Sequence, residues 1–101
     1  MSIGLTCFTK LPFAELQHKL NEFAKRYPDV FPAHYYLSTA GIPHPIQKEV
    51  SNEFGLDPLS YCYLSVNDKD LEISTDEMAD MIRKELGSDN VIILLNGEDQ
   101  I

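Results

Sequence analysis

The residues of this 101-residue chain best equipped for covalent chemistry are two cysteines and three histidines. A thiol nucleophile needs a base beside it and a locally positive setting that favours the thiolate. Neither Cys7 nor Cys62 has one in the sequence. His18, His34 and His44 are not locally paired with either cysteine, and no characteristic motif flanks them. Both cysteines fall within apolar, β-favouring runs, where a small buried residue is the ordinary reading. No catalytic residue is therefore assigned. A small Cys/His enzyme or redox protein is the first alternative, and it predicts rapid alkylation of one native thiol.

Metal chemistry is no better supported. Zinc ligands usually come in closely spaced pairs, because one loop or helical turn must present two of them. The nearest pair here, His34 and His44, is ten residues apart across Gly41 and Pro43. Asp68, Asp70 and Glu72 alternate, yet the loop lacks the glycine and the distant bidentate glutamate of a calcium-binding hand. The five glycines are isolated, so no phosphate-cradling loop exists. No metal or cofactor is expected.

The carboxylates remain. Residues 1–65 hold six acids against five bases, whereas residues 66–101 hold ten against three, within a net charge of −8. In one helix the charges explain themselves: Asp76, Glu77 and Asp80 favour the positive end of the dipole, Arg83 and Lys84 the negative end. Asp68, Asp70, Glu72, Asp89, Glu98 and Asp99 have only Lys69 to offset them. Such a surface repels nucleic-acid phosphates and anionic lipid heads and attracts cations. Tyrosines supply a second kind of contact residue, with a large apolar body and one polar tip. Tyr35 and Tyr63 are expected in the core, with Tyr36 and Tyr61 leaning on neighbouring helices.

Positioning these groups requires a folded domain, and the chain is large enough to make one. Size scaling gives a folded surface of roughly 5,800 Å² with about 65% of the unfolded surface buried, and 44% of residues are apolar. Ile3–Phe8 alternates as a strand. Phe13, Leu16, Leu20, Phe23, Ala24 and Tyr27 recur at helical spacing after Pro12. Ala33–Thr39 is a second strand. Pro45 opens a second helix expected to bury Ile46, Val50 and Phe54, with Gly55 at its left-handed end. Tyr61–Val66 is a third strand, and Leu71–Ile73 a short hairpin arm. Ser74 caps a third helix with Glu77 three residues on, burying Met78, Ala79, Ile82 and Leu86. Val91–Leu95, apolar on both faces, reads as a covered strand, followed by a short acidic tail.

The expectation is one α/β domain over residues 1–101, with α+β as the variant. It has three helices and a mixed sheet of four or five strands in the order β-α-β-α-β-(β)-α-β. Helical crossovers favour parallel strands. No run reaches the roughly 18 apolar residues of a membrane helix, Met1–Leu5 has no basic flank, and two thiols suit a reducing compartment. A cytoplasmic protein, monomeric or weakly dimeric, is expected.

Functionally, these features point to a non-enzymatic binding protein whose acidic surface neutralises a basic protein partner. By analogy of size, charge and absence of catalytic motif, not of sequence, an immunity protein that blocks a bacterial toxin, for example a nuclease, is expected. The residues expected to bind are Asp68, Asp70, Glu72, Asp76 and Asp80, with Tyr61 as an aromatic anchor. A homo-oligomeric or regulatory subunit presenting its tyrosine-rich edge is the second alternative.

Overall fold

A computed structural model describes residues 3–67 and 73–101. The strands are β1 (Gly4–Thr9), β2 (Tyr35–Leu37), β3 (Ser60–Val66), β4 (Val91–Leu95) and β5 (Asp99–Gln100). The helices are α1 (Phe13–Arg26), α2 (Pro45–Glu53) and α3 (Thr75–Leu86). They form a single sheet ordered β2-β3-β1-β4-β5, and the chain folds with a Cα radius of gyration of 12.6 Å. The accessible surface, 5926 Å², agrees with the size-scaling expectation.

Every pairing between these strands is antiparallel, so the sheet is not mixed and the architecture is the α+β variant. The crossover rule still holds in a looser form. The α1 connection joins β1 to β2, and the α3 connection joins β3 to β4; each pair runs in one direction. In each case another strand, β3 or β1, lies between the two. Parallel strands joined by a helix need not be neighbours, and here each gap is filled by a strand running the other way.

Two helices cover one face and one helix covers part of the other. On the first face Leu5, Cys7, Cys62, Leu64, Val91 and Ile93 meet Leu16, Leu20 and Phe23 of α1 and Met78, Ala79, Ile82 and Leu86 of α3. On the second, Phe8, Ile92 and Leu94 pack with Leu56, Val50, Phe54 and Tyr61 beneath α2. The period-2 alternation of β1, β3 and β4 sends successive side chains to these two clusters. Burying both faces of β4 is what its unbroken apolar run required.

Buried hydroxyls close the polar ends of the sheet. Thr9 Oγ1 donates to the Asn90 carbonyl (2.8 Å) and accepts from the Leu11 N–H (3.2 Å). Ser51 donates to the Leu56 carbonyl (2.7 Å), tying α2 to the chain beyond it. Among the described residues no buried side-chain polar atom lacks a partner.

Four expectations change. The fifth strand is Asp99–Gln100 in the tail; Ile73 is not in a strand, and Leu71 lies outside the described residues. Ile46 is not buried, because only one flank of the nine-residue α2 touches the sheet and Ile46 points along the groove beside it; it is 74% exposed. Tyr63 leaves the core because its parity is opposite to that of buried Cys62 and Leu64. Tyr36, with parity opposite to buried Tyr35, is exposed without a covering helix.

Candidate functional site: the acidic end and the open sheet face

The antiparallel topology gathers several segments at one end of the molecule. β1 begins there, β3 and β4 finish there, and α3 starts there. Asn96 closes that end: its N–H donates to the Gly4 carbonyl (2.8 Å) and its Oδ1 accepts from the Gly4 N–H (3.1 Å). The Tyr35 hydroxyl donates to the Ile73 carbonyl (2.9 Å) and so holds the entry to α3 beside the end of β3. The Glu98 N–H returns to the Leu95 carbonyl (3.1 Å), shaping the turn between β4 and β5.

The carboxylates of Asp76, Glu77, Asp80, Glu98 and Asp99 are carried on these segments, and all five residues are exposed. Their local geometry follows from the sequence. Ser74 Oγ accepts from the Glu77 N–H at 3.1 Å, so the cap starts α3 where Asp76 and Glu77 meet the unpaired N–H groups of its first turn. Arg83 then links helix to tail, donating to Asp80 (2.8 Å) and to the Ile101 carbonyl. This places the last turn of α3 beside the residue that follows β5. Asp68, Asp70 and Glu72 lie outside the described residues, between Asn67 and Ile73.

Tyr61 does not join Asp76 and Asp80. It lies on the opposite face of the sheet, its ring tilted against Phe8 at a centroid distance of 6.1 Å. Gly41, bridged to Tyr61, leaves the room its ring occupies. An aromatic packed this way supports the sheet under α2.

Pattern alone had not singled out the part of the second face that α2 leaves uncovered. Cross-strand register places Tyr36, Ser65 and Gly4 in one row and Tyr63 and Thr6 in the next. Tyr36 is 51% exposed and Tyr63 37%. Between this face and α2 runs a groove of about 170 Å³ lined by Thr6, Phe8, Ile46, Gln47, Val50 and Gly97. Parity would have exposed the signal, since the tyrosines fall out of phase with their buried neighbours.

The candidate nucleophiles are placed away from solvent. Cys7 and Cys62 are direct cross-strand partners at the centre of the sheet, both buried. The hydrogen bond to Cys62, and then burial, push the Cys7 thiol well above its ordinary value, the opposite of what a nucleophile requires. His18 and His44 are exposed on or beside helices, and His44 stands at the start of α2, its N–H donating to Gln47 (2.8 Å). His34 is half-buried ahead of β2. Among the described residues no three His, Cys, Asp or Glu side chains are grouped to hold a metal ion. No helix among them is long and apolar enough to cross a membrane.

An acidic α+β domain whose two cysteines are both buried is compatible with a binding role, and comparison with protein families gives that role a context. Residues 1–99 match the family described as the CDI System Immunity Component. The chain belongs to this family. It is thus an immunity component of a contact-dependent inhibition (CDI) system, the class of protein that inhibits a toxin. The CDI immunity component is also similar in fold to a chain of the CdiA-CT/CdiI toxin and immunity complex from Burkholderia pseudomallei. The TM-score is 0.80 at 22% identity, over 97% of this chain and 95% of that one. Among curated proteins no match was found.

Proposed function

We propose that this CDI immunity component is a non-enzymatic inhibitor that captures the cationic face of its toxin domain on its acidic end. One observation carries the reading: Asp76, Glu77, Asp80, Glu98 and Asp99, distant in sequence, come to one end of the fold and are all exposed. Only Asp80 among them has a described ion pair, with Arg83. Asp68, Asp70 and Glu72, between Asn67 and Ile73 in the chain, belong to the same proposed contact.

A field of one sign concentrated on one end steers an oppositely charged partner into register and raises the association rate by about 10 to 1,000-fold at low salt. A nuclease domain is the toxin chemistry that best suits this surface, because a protein that binds phosphates presents a cationic cleft. Carboxylates laid across such a cleft would occupy the place of the nucleic-acid backbone. In this reading the protein acts as a monomer in the cytoplasm, where its two thiols stay reduced.

The test is the association rate with its partner toxin domain, measured by stopped flow at low and high salt. Asp76→Lys with Glu98→Lys should slow association by about tenfold or more at low salt and flatten the salt dependence. A rate indifferent to salt and to both substitutions overturns electrostatic capture.

A further inference from the structure

Carboxylates at the rim of an interface set encounter rate and register more than they set affinity. Lasting complexes draw their affinity from a desolvated centre in which aromatic and aliphatic side chains predominate. An inhibitor that works from the acidic end therefore needs an apolar patch adjoining it. We infer that the toxin domain is held on the open half of the second sheet face, with Tyr36, Tyr63 and Ile46 forming the apolar centre of the contact and the acidic end its rim. This rests on the reading that a cationic toxin domain is the partner.

Three observations converge on this face. The first is exposure. Tyr36 and Tyr63 stand on strands β2 and β3, and Ile46 stands at the start of α2; all three are large and exposed. A sheet face left uncovered beside a covered one is a surface with room for a partner.

The second is order. Tyr63 sits opposite Thr6 on β1, and its ring leans diagonally across Gly4. A β-carbon at Gly4 would run into that ring, so glycine is what lets the ring lie flat on the strand. A tyrosine already fixed on a rigid strand loses little further freedom on binding, which favours it as an anchor.

The third is continuity with the acidic end. The groove that holds Ile46 is closed at one side by Gly97, and Glu98 is the next residue. The β4–β5 turn thus borders both surfaces. A partner element with an aliphatic side chain in the groove would place adjacent lysines or arginines against Glu98 and Asp99. Of the other large apolar residues exposed among those described, Phe13 and Leu59 lie towards the opposite end of the sheet, beside Leu11 and Thr9.

The experiment uses the full chain and its purified partner toxin domain. Dissociation constants are measured by titration calorimetry for the parent, Tyr36→Ala, Ile46→Arg and Tyr63→Phe, with thermal unfolding as the folding control. Tyr36→Ala and Ile46→Arg, both at exposed positions, should each weaken binding by about tenfold or more. Tyr63→Phe keeps the ring over Gly4 and should retain binding within a few-fold. Hydroxyl-radical footprinting of the parent complex should show Tyr36, Tyr63 and Ile46 protected, a result independent of any variant's folding. If the parent binds and the acidic substitutions slow it, while Tyr36 and Ile46 variants bind as the parent does and stay unprotected, this surface assignment is wrong and electrostatic capture stands. If the parent does not bind that domain, the reading beneath both is wrong.

Discussion

Tyr63 on β3 lies across Gly4 on β1 so closely that a β-carbon there would force its ring to shift. The pair couples the start of the central strand to the uncovered sheet face. Gly4→Ala should therefore displace the ring and destabilise the fold by about 1 kcal/mol, the lower end of the range for an overpacked site because the ring is partly exposed and can give way, as measured by urea unfolding. In a Tyr63→Ala background the same change should cost much less, because the two positions share one space. Equal costs in both backgrounds would show that the ring does not constrain Gly4.

Ser74 begins α3 by accepting from the Glu77 N–H. Replacing it with Ala should cost about 1 kcal/mol in urea unfolding, a typical capping loss. Ser74→Asp should restore most of it. A loss with Ala that Asp does not recover would assign the effect to something other than the cap.

Arg83 joins α3 to the chain terminus through Asp80 and the Ile101 carbonyl. The pair with Asp80 is largely exposed and contributes little in water, so the main effect of Arg83→Ala should be local. Amide exchange at Gln100 and Ile101 should accelerate severalfold, with global stability reduced by about 1 kcal/mol. Unchanged exchange at both amides would mean that Arg83 does not hold β5.

Cys7 and Cys62 face each other within the core, closed to solvent. Alkylation of the native protein at neutral pH should be slow and should reach two thiols only on adding denaturant. One thiol reacting at the rate of a free cysteine would reopen the enzymatic alternative.

The same burial sets a pH dependence. The Cys7 thiol is raised above its ordinary value of 9.0. The Tyr35 hydroxyl is raised above 10.0, by burial first and by the nearby Glu77 charge second. Groups raised in the folded state favour folding below their unfolded values, and that contribution is lost as pH climbs beyond them. Stability should hold from neutral pH to about 9 and fall above it, and Cys7→Ala should flatten the first part of that fall. Denaturant midpoints followed from pH 7 to 11 measure it; a midpoint that rises with alkali contradicts the assignment.

Much of this was legible because it rests on local periodicity. The amphipathic spacing of Leu16, Leu20 and Phe23, the Ser74 cap and the two-faced apolar run of Val91–Leu95 each correspond to an observed element. Where expectation and structure part, a partner distant in sequence decided. Ile46 has the right helical spacing for burial, but α2 rests on the sheet by its other flank. Tyr63 and Tyr61 are equally aromatic and share a strand face. One lies under α2 and the other on open sheet, a difference that depends on how far a nine-residue helix reaches.

The sequence by itself determined an α and β domain with an acidic final third, two cysteines in buried runs and no catalytic pattern, because composition and periodicity are properties of neighbours along the chain. Tertiary structure alone decided that every strand pairing is antiparallel and that the start of α3 and the β4–β5 turn lie at one end of the sheet. It also decided that half of one sheet face stays open beside them. Strand order and helix coverage are set by which distant surfaces bury the most apolar area together, and no local pattern carries that comparison.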